Sequence, residues 1–211
     1  YDSEGSDRPF AMADEDEALV RMACAANKNV IVLVLSGSGV DMSYWNDKVS
    51  AIIYGWYPGQ AGMQAIADIM VGKINPSGKL PVTFYKNVDQ LPDFEDYNMT
   101  GRTYRYFQGE PLYPFGYGLS YTTFAYGDIQ LPETAKVGDA VKVIVPVTNS
   151  GKMDGDEVVQ LYIKKQGDEE GPIKTLRAFK RVHIPVGETV NVELELTPKQ
   201  LEWWNLETNS V

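Results

Sequence analysis

Apolar positions change their spacing twice along this chain, and each change predicts a different kind of structure. Behind Asp14-Glu15-Asp16-Glu17, the residues Leu19, Val20, Met22, Ala23 and Ala26 recur at helical intervals, and the four carboxylates suit the positive end of a helix dipole. Asn29 breaks that pattern. Residues 30–35 are a continuous, β-branched run, which predicts a short strand covered on both faces, as in a parallel sheet. Residues 51–57 repeat the signal and stop at Pro58-Gly59; a second helix follows through Met63, Ile66, Ala67, Ile69, Met70 and Val71, ending at Gly72. Asn75-Pro76-Ser77-Gly78 reads as a tight turn, because proline presets one turn dihedral and glycine is free to take positive φ; it leads into a strand over residues 80–84. The succession of helix and strand predicts a wound α/β domain with too few repeats to be complete.

Beyond residue 85 the spacing is lost, then returns with period two. Residues 86–121 form a long loop punctuated by Pro92, Pro111 and Pro114 and rich in aromatics, among them Tyr104, Tyr113, Phe115, Tyr117 and Tyr121. Loops of this length without regular structure carry function or bridge domains. After Tyr126 the pattern is β only: residues 141–147, 158–163, 179–186 and 190–196 are strands separated by glycine-containing turns, which predicts an antiparallel sandwich of immunoglobulin or fibronectin type. The expected domains are therefore 1–126 and 127–211. The sandwich lacks a closing strand, since residues 205–211 are unpatterned, and the chain reads as cut at both ends.

Charge narrows the partners. Nineteen basic against twenty-nine acidic side chains give a net charge of -10, which repels nucleic acid and anionic membranes. The densest basic stretch, with Lys174, Arg177, Lys180 and Arg181, is interleaved with apolar residues and predicts a solvated strand face. No apolar run reaches the ~18 residues a membrane helix needs. Cys24 and His183 are each the sole residue of their kind, which rules out an internal disulfide and any zinc site of several Cys or His ligands. His183 alternates with Val182 and Ile184, so it is expected to face solvent from a strand. Asp41 is expected to cap a helix after its loop, and Asp68 to be a solvated or capping carboxylate. No metal or organic cofactor is implied.

Four stretches carry a more specific signal. Trp56-Tyr57-Pro58-Gly59-Gln60-Ala61-Gly62, Ala65-Ile66-Ala67-Asp68, residues 75–84 and residues 111–124 stand in this order and resemble the C-terminal half of a family 3 glycoside hydrolase. Residues 127–204 resemble the fibronectin-like domain that ends many members, with residues 176–182 as the best landmark. The resemblance implies a partial three-layer α/β sandwich followed by a fibronectin type III-like β-sandwich, and a missing N-terminal barrel that carries the aspartate nucleophile. Accordingly no nucleophile is nominated in this chain. The family's acid/base loop reads approximately Ser-Gly-Glu-Gly-aromatic-Asp-Arg, and Asp2-Ser3-Glu4-Gly5-Ser6-Asp7-Arg8 matches it at Glu4, Gly5, Asp7 and Arg8. By resemblance Glu4 is the acid/base, with Asp7 and Arg8 supporting the loop. Ser3 and Ser6 depart from the pattern, replacing a glycine and an aromatic beside the carboxylate.

The resemblance thus implies a fragment of an exo-acting retaining β-glycosidase, inactive without its barrel, acting on terminal non-reducing β-linked sugars of oligosaccharides or on aryl glycosides. Met99-Thr100-Gly101-Arg102-Thr103-Tyr104-Arg105-Tyr106-Phe107 and Phe84-Tyr85 are more similar to members acting on xylosides and arabinosides, so a β-xylosidase is expected, with a β-glucosidase as runner-up. Resemblance also implies a periplasmic or secreted protein. The aromatic loop and the sandwich leave open a different class, a non-catalytic carbohydrate-binding or surface-interaction module.

Overall fold

A computed structural model describes Gly5 and residues 8–203. The described chain divides into two compact units: Tyr1–Ile74 with Leu80–Tyr117, and Asn75–Lys79 with Gly118–Val211.

The first unit opens with α1, Asp14–Ala26, where the pattern predicts it. Its N-cap, Ala13, offers no side chain to the free backbone N–H groups, so the acidic residues of the first turn are what answers the helix dipole. Two short strands follow, β1 at Ile31–Val34 and β2 at Ala51–Tyr54, paired in parallel with Ile31 opposite Ala51 and Val34 opposite Tyr54. α2 spans Gly62–Met70 and turns the buried Ile66 inward. The core gathers Val20, Val34, Val40, Met42, Trp45 and Phe84, with Tyr54, Trp56, Leu80, Leu112 and Tyr113 packed around them.

Two expectations fail in this unit. Residues 80–84 do not form a strand: they make a single antiparallel bridge, Phe84 to Tyr113, and Leu80 exchanges backbone bonds with Tyr117 and Gly116. Pro81 has no N–H to give a ladder, and Pro111 and Pro114 interrupt the facing segment in the same way. Nor does a helix follow Asp41. Residues 43–48 are consecutive turns, and the Asp41 carboxylate instead closes a local turn by accepting from the Ser43 N–H at 2.9 Å and the Ser43 hydroxyl at 2.5 Å. The long loop contains a 3-10 turn at Val88–Gln90 and a one-turn helix, α3, at Thr103–Tyr106. Arg102 organises its middle, donating to the carbonyls of Asp93, Asp96 and Asn98.

The second unit is the sandwich. β3 (Phe124–Tyr126), β4 (Val141–Asn149) and β7 (Thr189–Leu196) form one antiparallel sheet in the order β3-β4-β7; β5 (Gly155–Ile163) and β6 (Thr175–Ile184) form another, with a bulge between Leu161 and Tyr162. Alternate residues of β4 and β7 are buried, as a sheet with one covered face requires, and Val145, Val147, Val159, Ile184, Val192 and Leu194 make the core. Asn149 lies wholly inside it and is fully bonded: its amide donates to the carbonyls of Met153 and Ile184, and its oxygen accepts from Thr122 and Gly151. α4, Pro198–Leu201, follows a capping box made by Thr197 and Gln200.

The segment Asn75–Lys79 packs within this unit although α2 and Leu80 on either side of it belong to the other. Asn75 donates to the Asp154 carbonyl and accepts from the Ser120 hydroxyl and the Tyr121 N–H, both at 2.8 Å. Lys79 donates to the Gly118 carbonyl at 3.0 Å and pairs with Glu157 at 3.3 Å, both side chains being largely covered. The tight turn expected at residues 75–78 does not form, and Gly78 does not take positive φ; the segment is instead fastened through the side chains of Asn75 and Lys79.

His183 faces solvent from β6 as expected, and its ring nitrogen meets Asp156 at 2.7 Å, beside an Arg181–Asp156 ion pair. Burial acts to raise the Asp156 carboxyl, but the hydrogen bond from His183 and the charge and hydrogen bond of Arg181 outweigh it and hold the group below its ordinary value. Asp68 is more covered than a solvated carboxylate: it accepts from Gln64 and pairs with Lys73 just past the end of α2. Among the described residues no helix is long and apolar enough to cross a membrane.

Candidate functional site

In a sheet of parallel strands, the loops leaving the carboxyl ends converge on one edge, where the backbone is free to approach a ligand. Here β1 and β2 both end on that edge. The loop after β1 is Ser36-Gly37-Ser38-Gly39, held by a bond from the buried Ser36 hydroxyl to the Ser38 carbonyl at 3.1 Å. Tyr54, the last residue of β2, donates its phenol O–H to the same Ser38 carbonyl, and the Gly55 N–H donates to Val34 at 2.8 Å. Gly39 lies over the Phe84 ring, whose nearest carbon would be 3.5 Å from an added Cβ.

Residues 8–10 are fastened to this loop. The Arg8 guanidinium donates to the Ser38 hydroxyl and to the Gly39 carbonyl, the latter at 3.1 Å, and the Asp41 N–H donates to the Phe10 carbonyl at 2.9 Å. One guanidinium nitrogen shared between two acceptors on one side and a backbone bond on the other fix residues 8–10 along loop 38–41. Of the three sequence-predicted site residues, Arg8 therefore stands at the carboxyl edge of the sheet; Glu4 and Asp7 lie outside the described residues.

The loop after β2 contributes a strained backbone. Trp56 has φ +53°, the left-handed region that bulky side chains avoid, at a cost of about 1–3 kcal/mol. Its indole is packed edge-on against Tyr54 at 4.8 Å between ring centres, and Tyr54 meets Phe84 at 4.9 Å. The reversal at Trp56 carries Tyr57 back across the β1 loop, where a Cβ on Gly37 would come within 2.9 Å of the Tyr57 ring. Trp56 and Tyr57 appear in the sequence only as part of a motif; the residue type alone carries no signal for positive φ, although Gly37 marks a place of close approach.

Farther along, Tyr113 stacks on Tyr117 at 5.1 Å and Phe115 on Tyr104 at 4.2 Å. Burial pushes the Tyr113 phenol up, with a smaller contribution from Tyr117. These rings do packing work within their unit. Among the described residues no group of three or more His, Cys, Asp or Glu side chains could hold a metal ion.

Comparison with known proteins agrees with this architecture. Residues 1–121 match the glycosyl hydrolase family 3 C-terminal domain and residues 157–211 the fibronectin type III-like domain. A xylan 1,4-beta-xylosidase of Xylanibacter ruminicola is 50% identical over 187 residues, covering 89% of this chain and 22% of that protein. A periplasmic beta-glucosidase of Salmonella typhimurium is 35% identical over 201 residues, 89% of this chain and 26% of its own length. Among solved structures, the beta-D-glucoside glucohydrolase from Trichoderma reesei superposes with a TM-score of 0.89 at 28% identity, over 98% of this chain and 33% of that one. The chain thus spans between a fifth and a third of the length of these relatives. With an α/β unit that matches the C-terminal domain of the family and a sandwich that matches its fibronectin-like appendage, the chain belongs to glycosyl hydrolase family 3.

Proposed function

We propose that this chain is the C-terminal part of an exo-acting, retaining β-glycosidase, and that it contributes the acid/base carboxyl, Glu4. The observation that carries the reading is the anchoring of Arg8, the last residue of the Glu-Gly-x-Asp-Arg match, on the loop at the carboxyl edge of β1. Three residues separate Arg8 from Glu4, so the two α-carbons stand at most about 14 Å apart, and a fixed Arg8 confines where the acid can act. Asp7 and Arg8 support the loop; they do not touch the reacting bond.

In this scheme an aspartate of a barrel domain outside this chain attacks the anomeric carbon. The glycosidic C–O bond breaks as a glycosyl ester forms, and Glu4 gives its proton to the departing oxygen. Water then attacks the same carbon, Glu4 takes the water proton, and the ester opens to release the sugar and the nucleophile. Retention needs the two carboxyls ~5 Å apart. Without the barrel there is neither nucleophile nor closed pocket to raise the Glu4 carboxyl, so the 211-residue chain alone is inactive.

The 50% identity to a xylan 1,4-beta-xylosidase favours terminal β-linked xylose as the substrate, with β-glucosides second. The periplasmic name of one relative favours a periplasmic or secreted site of action. In the full-length hydrolase, Glu4→Ala is expected to lower turnover of xylobiose by at least about a hundredfold while sparing activated aryl xylosides, with azide restoring rate through a β-xylosyl azide product. Equal loss on both substrates with no azide rescue would sink the assignment.

A further inference from the structure

We propose that the sandwich carries a glycan-binding groove of its own, at the seam between β6 and β7, in which Phe179 stacks on a sugar ring while Lys180 and Glu195 meet its hydroxyls. The inference goes beyond the glycosidase reading, which gives the sandwich no role, and rests on that reading only for the class of glycan, a β-linked polysaccharide.

The seam follows from the topology. Among the described residues β6 is bonded only to β5, and β7 only to β4, so each strand leaves one edge unpaired. An open groove of about 400 Å³ runs between them, walled by Arg177, Phe179 and Lys180 of β6, by Glu193 and Glu195 of β7, and by Gln200 of α4. That volume falls within the range of about 300–1,000 Å³ common to ligand sites.

Most of the polar groups in the groove are already engaged. Glu193 pairs with Lys142 at 2.6 Å, the Arg177 guanidinium donates to the Glu202 carbonyl at 2.9 Å, and the Gln200 amide donates to the Arg177 carbonyl at 2.6 Å. Lys180 and Glu195 have no hydrogen bond or ion pair among the described residues. Phe179 is 67% exposed, with no other ring packed on it among those residues, and its backbone is held in the ladder opposite Gln160. The groove therefore presents one open aromatic face on a fixed strand, one free donor and one free acceptor.

This combination suits a neutral, hydroxyl-rich chain. Two cations and two carboxylates cancel, so the groove favours neither a polyanion nor a basic peptide. Hydroxyls both accept and donate, as a free ammonium and a free carboxylate require, and an exposed ring matches the C–H face of a pyranose. An extended peptide is the natural rival at an unpaired strand edge. A lysine on the edge strand opposes that pairing, and Gln200 already takes the Arg177 carbonyl of β6.

The test uses the 211-residue chain and soluble xylan, reading migration in native gels against xylan concentration. Wild type is expected to be retarded; Phe179→Ala is expected to weaken retention about tenfold, and Lys180→Ala combined with Glu195→Gln about threefold. Phe179→Trp keeps a ring and is expected to keep retention, and Tyr97→Ala, which removes a ring 90% exposed in the other unit, is expected to change nothing. Variants are compared at equal urea midpoints, so loss of fold does not enter. No retention of wild type, or retention untouched by Phe179→Ala, would overturn the groove. So would dimerisation of the wild type abolished by Phe179→Ala, which would give the seam to a second copy of the chain. Retention is read without turnover, so a full-length hydrolase that cleaved no β-glycoside would overturn the glycosidase reading alone.

Discussion

A single half-buried interaction shows how much one side chain can carry in the sandwich. Tyr126 donates its phenol to Glu157 at 2.8 Å, and Glu157 accepts Lys79 with its other oxygen. Burial, then the hydrogen bond and charge of Glu157, push the Tyr126 phenol well above its ordinary value. Because the folded form holds this proton more tightly, the contribution is complete below about pH 10, the value of an unfolded tyrosine, and is lost as pH rises beyond it. Urea unfolding of the wild type between about pH 8 and 11 should therefore show a falling alkaline limb that Tyr126→Phe makes shallower. None of this was readable from residue types: Tyr126 is one aromatic in a β pattern, and Glu157 lies at a position whose alternation looks like any strand. For Arg8 the motif carries an expectation of loop support, and the partners of its guanidinium, Ser38 and Gly39, lie thirty residues on, where nothing in the motif points to them.

Elements whose stability comes from local pattern were found where the sequence put them. α1 has both its stripe and its acidic first turn, and β4 and β7 alternate cleanly, so local preference and burial agree. The expected strand at residues 80–84 failed for a different reason. Strand propensity describes one segment, whereas a ladder needs a partner, and the partner here is broken by prolines. The segment before it is the counterpart: Asn75–Lys79 has almost no apolar content, forms no turn of its own, and has its place set by contacts distant in sequence. Gly118 is the tightest of these, since an added Cβ would fall 2.0 Å from the Gly78 carbonyl oxygen, a backbone atom that cannot swing aside. Gly118→Ala should destabilise the sandwich by about 1–3 kcal/mol, read as a lower urea midpoint, while Gly138→Ala, in open space at φ +92°, reports the cost of backbone strain alone.

On the scale of the whole molecule, the chain passes between its two units three times, at residues 74–75, 79–80 and 117–118. A piece made of residues 118–211 keeps every strand of the sandwich and loses Asn75 and Lys79, leaving Glu157 without its cation and the Tyr121 N–H and Asp154 carbonyl without Asn75. Its β5 and β6 amides should exchange faster than in the 211-residue chain, by a loss of about 2 kcal/mol in protection, and equal protection in both would show that the segment at 75–79 contributes nothing.

That interleaving has a consequence for descent. A sandwich that closed on itself could be traded between genes by a single crossover behind the α/β unit, like a bead restrung at the end of a cord. Here part of the sandwich is encoded ahead of the loop and aromatic segment of the other unit, so an exchange at residue 118 inherits Asn75 and Lys79 from one parent and Ser120, Asp154 and Glu157 from the other. Such recombinants keep these bonds only where both parents write the segment at 75–79 and its receptors in the same way.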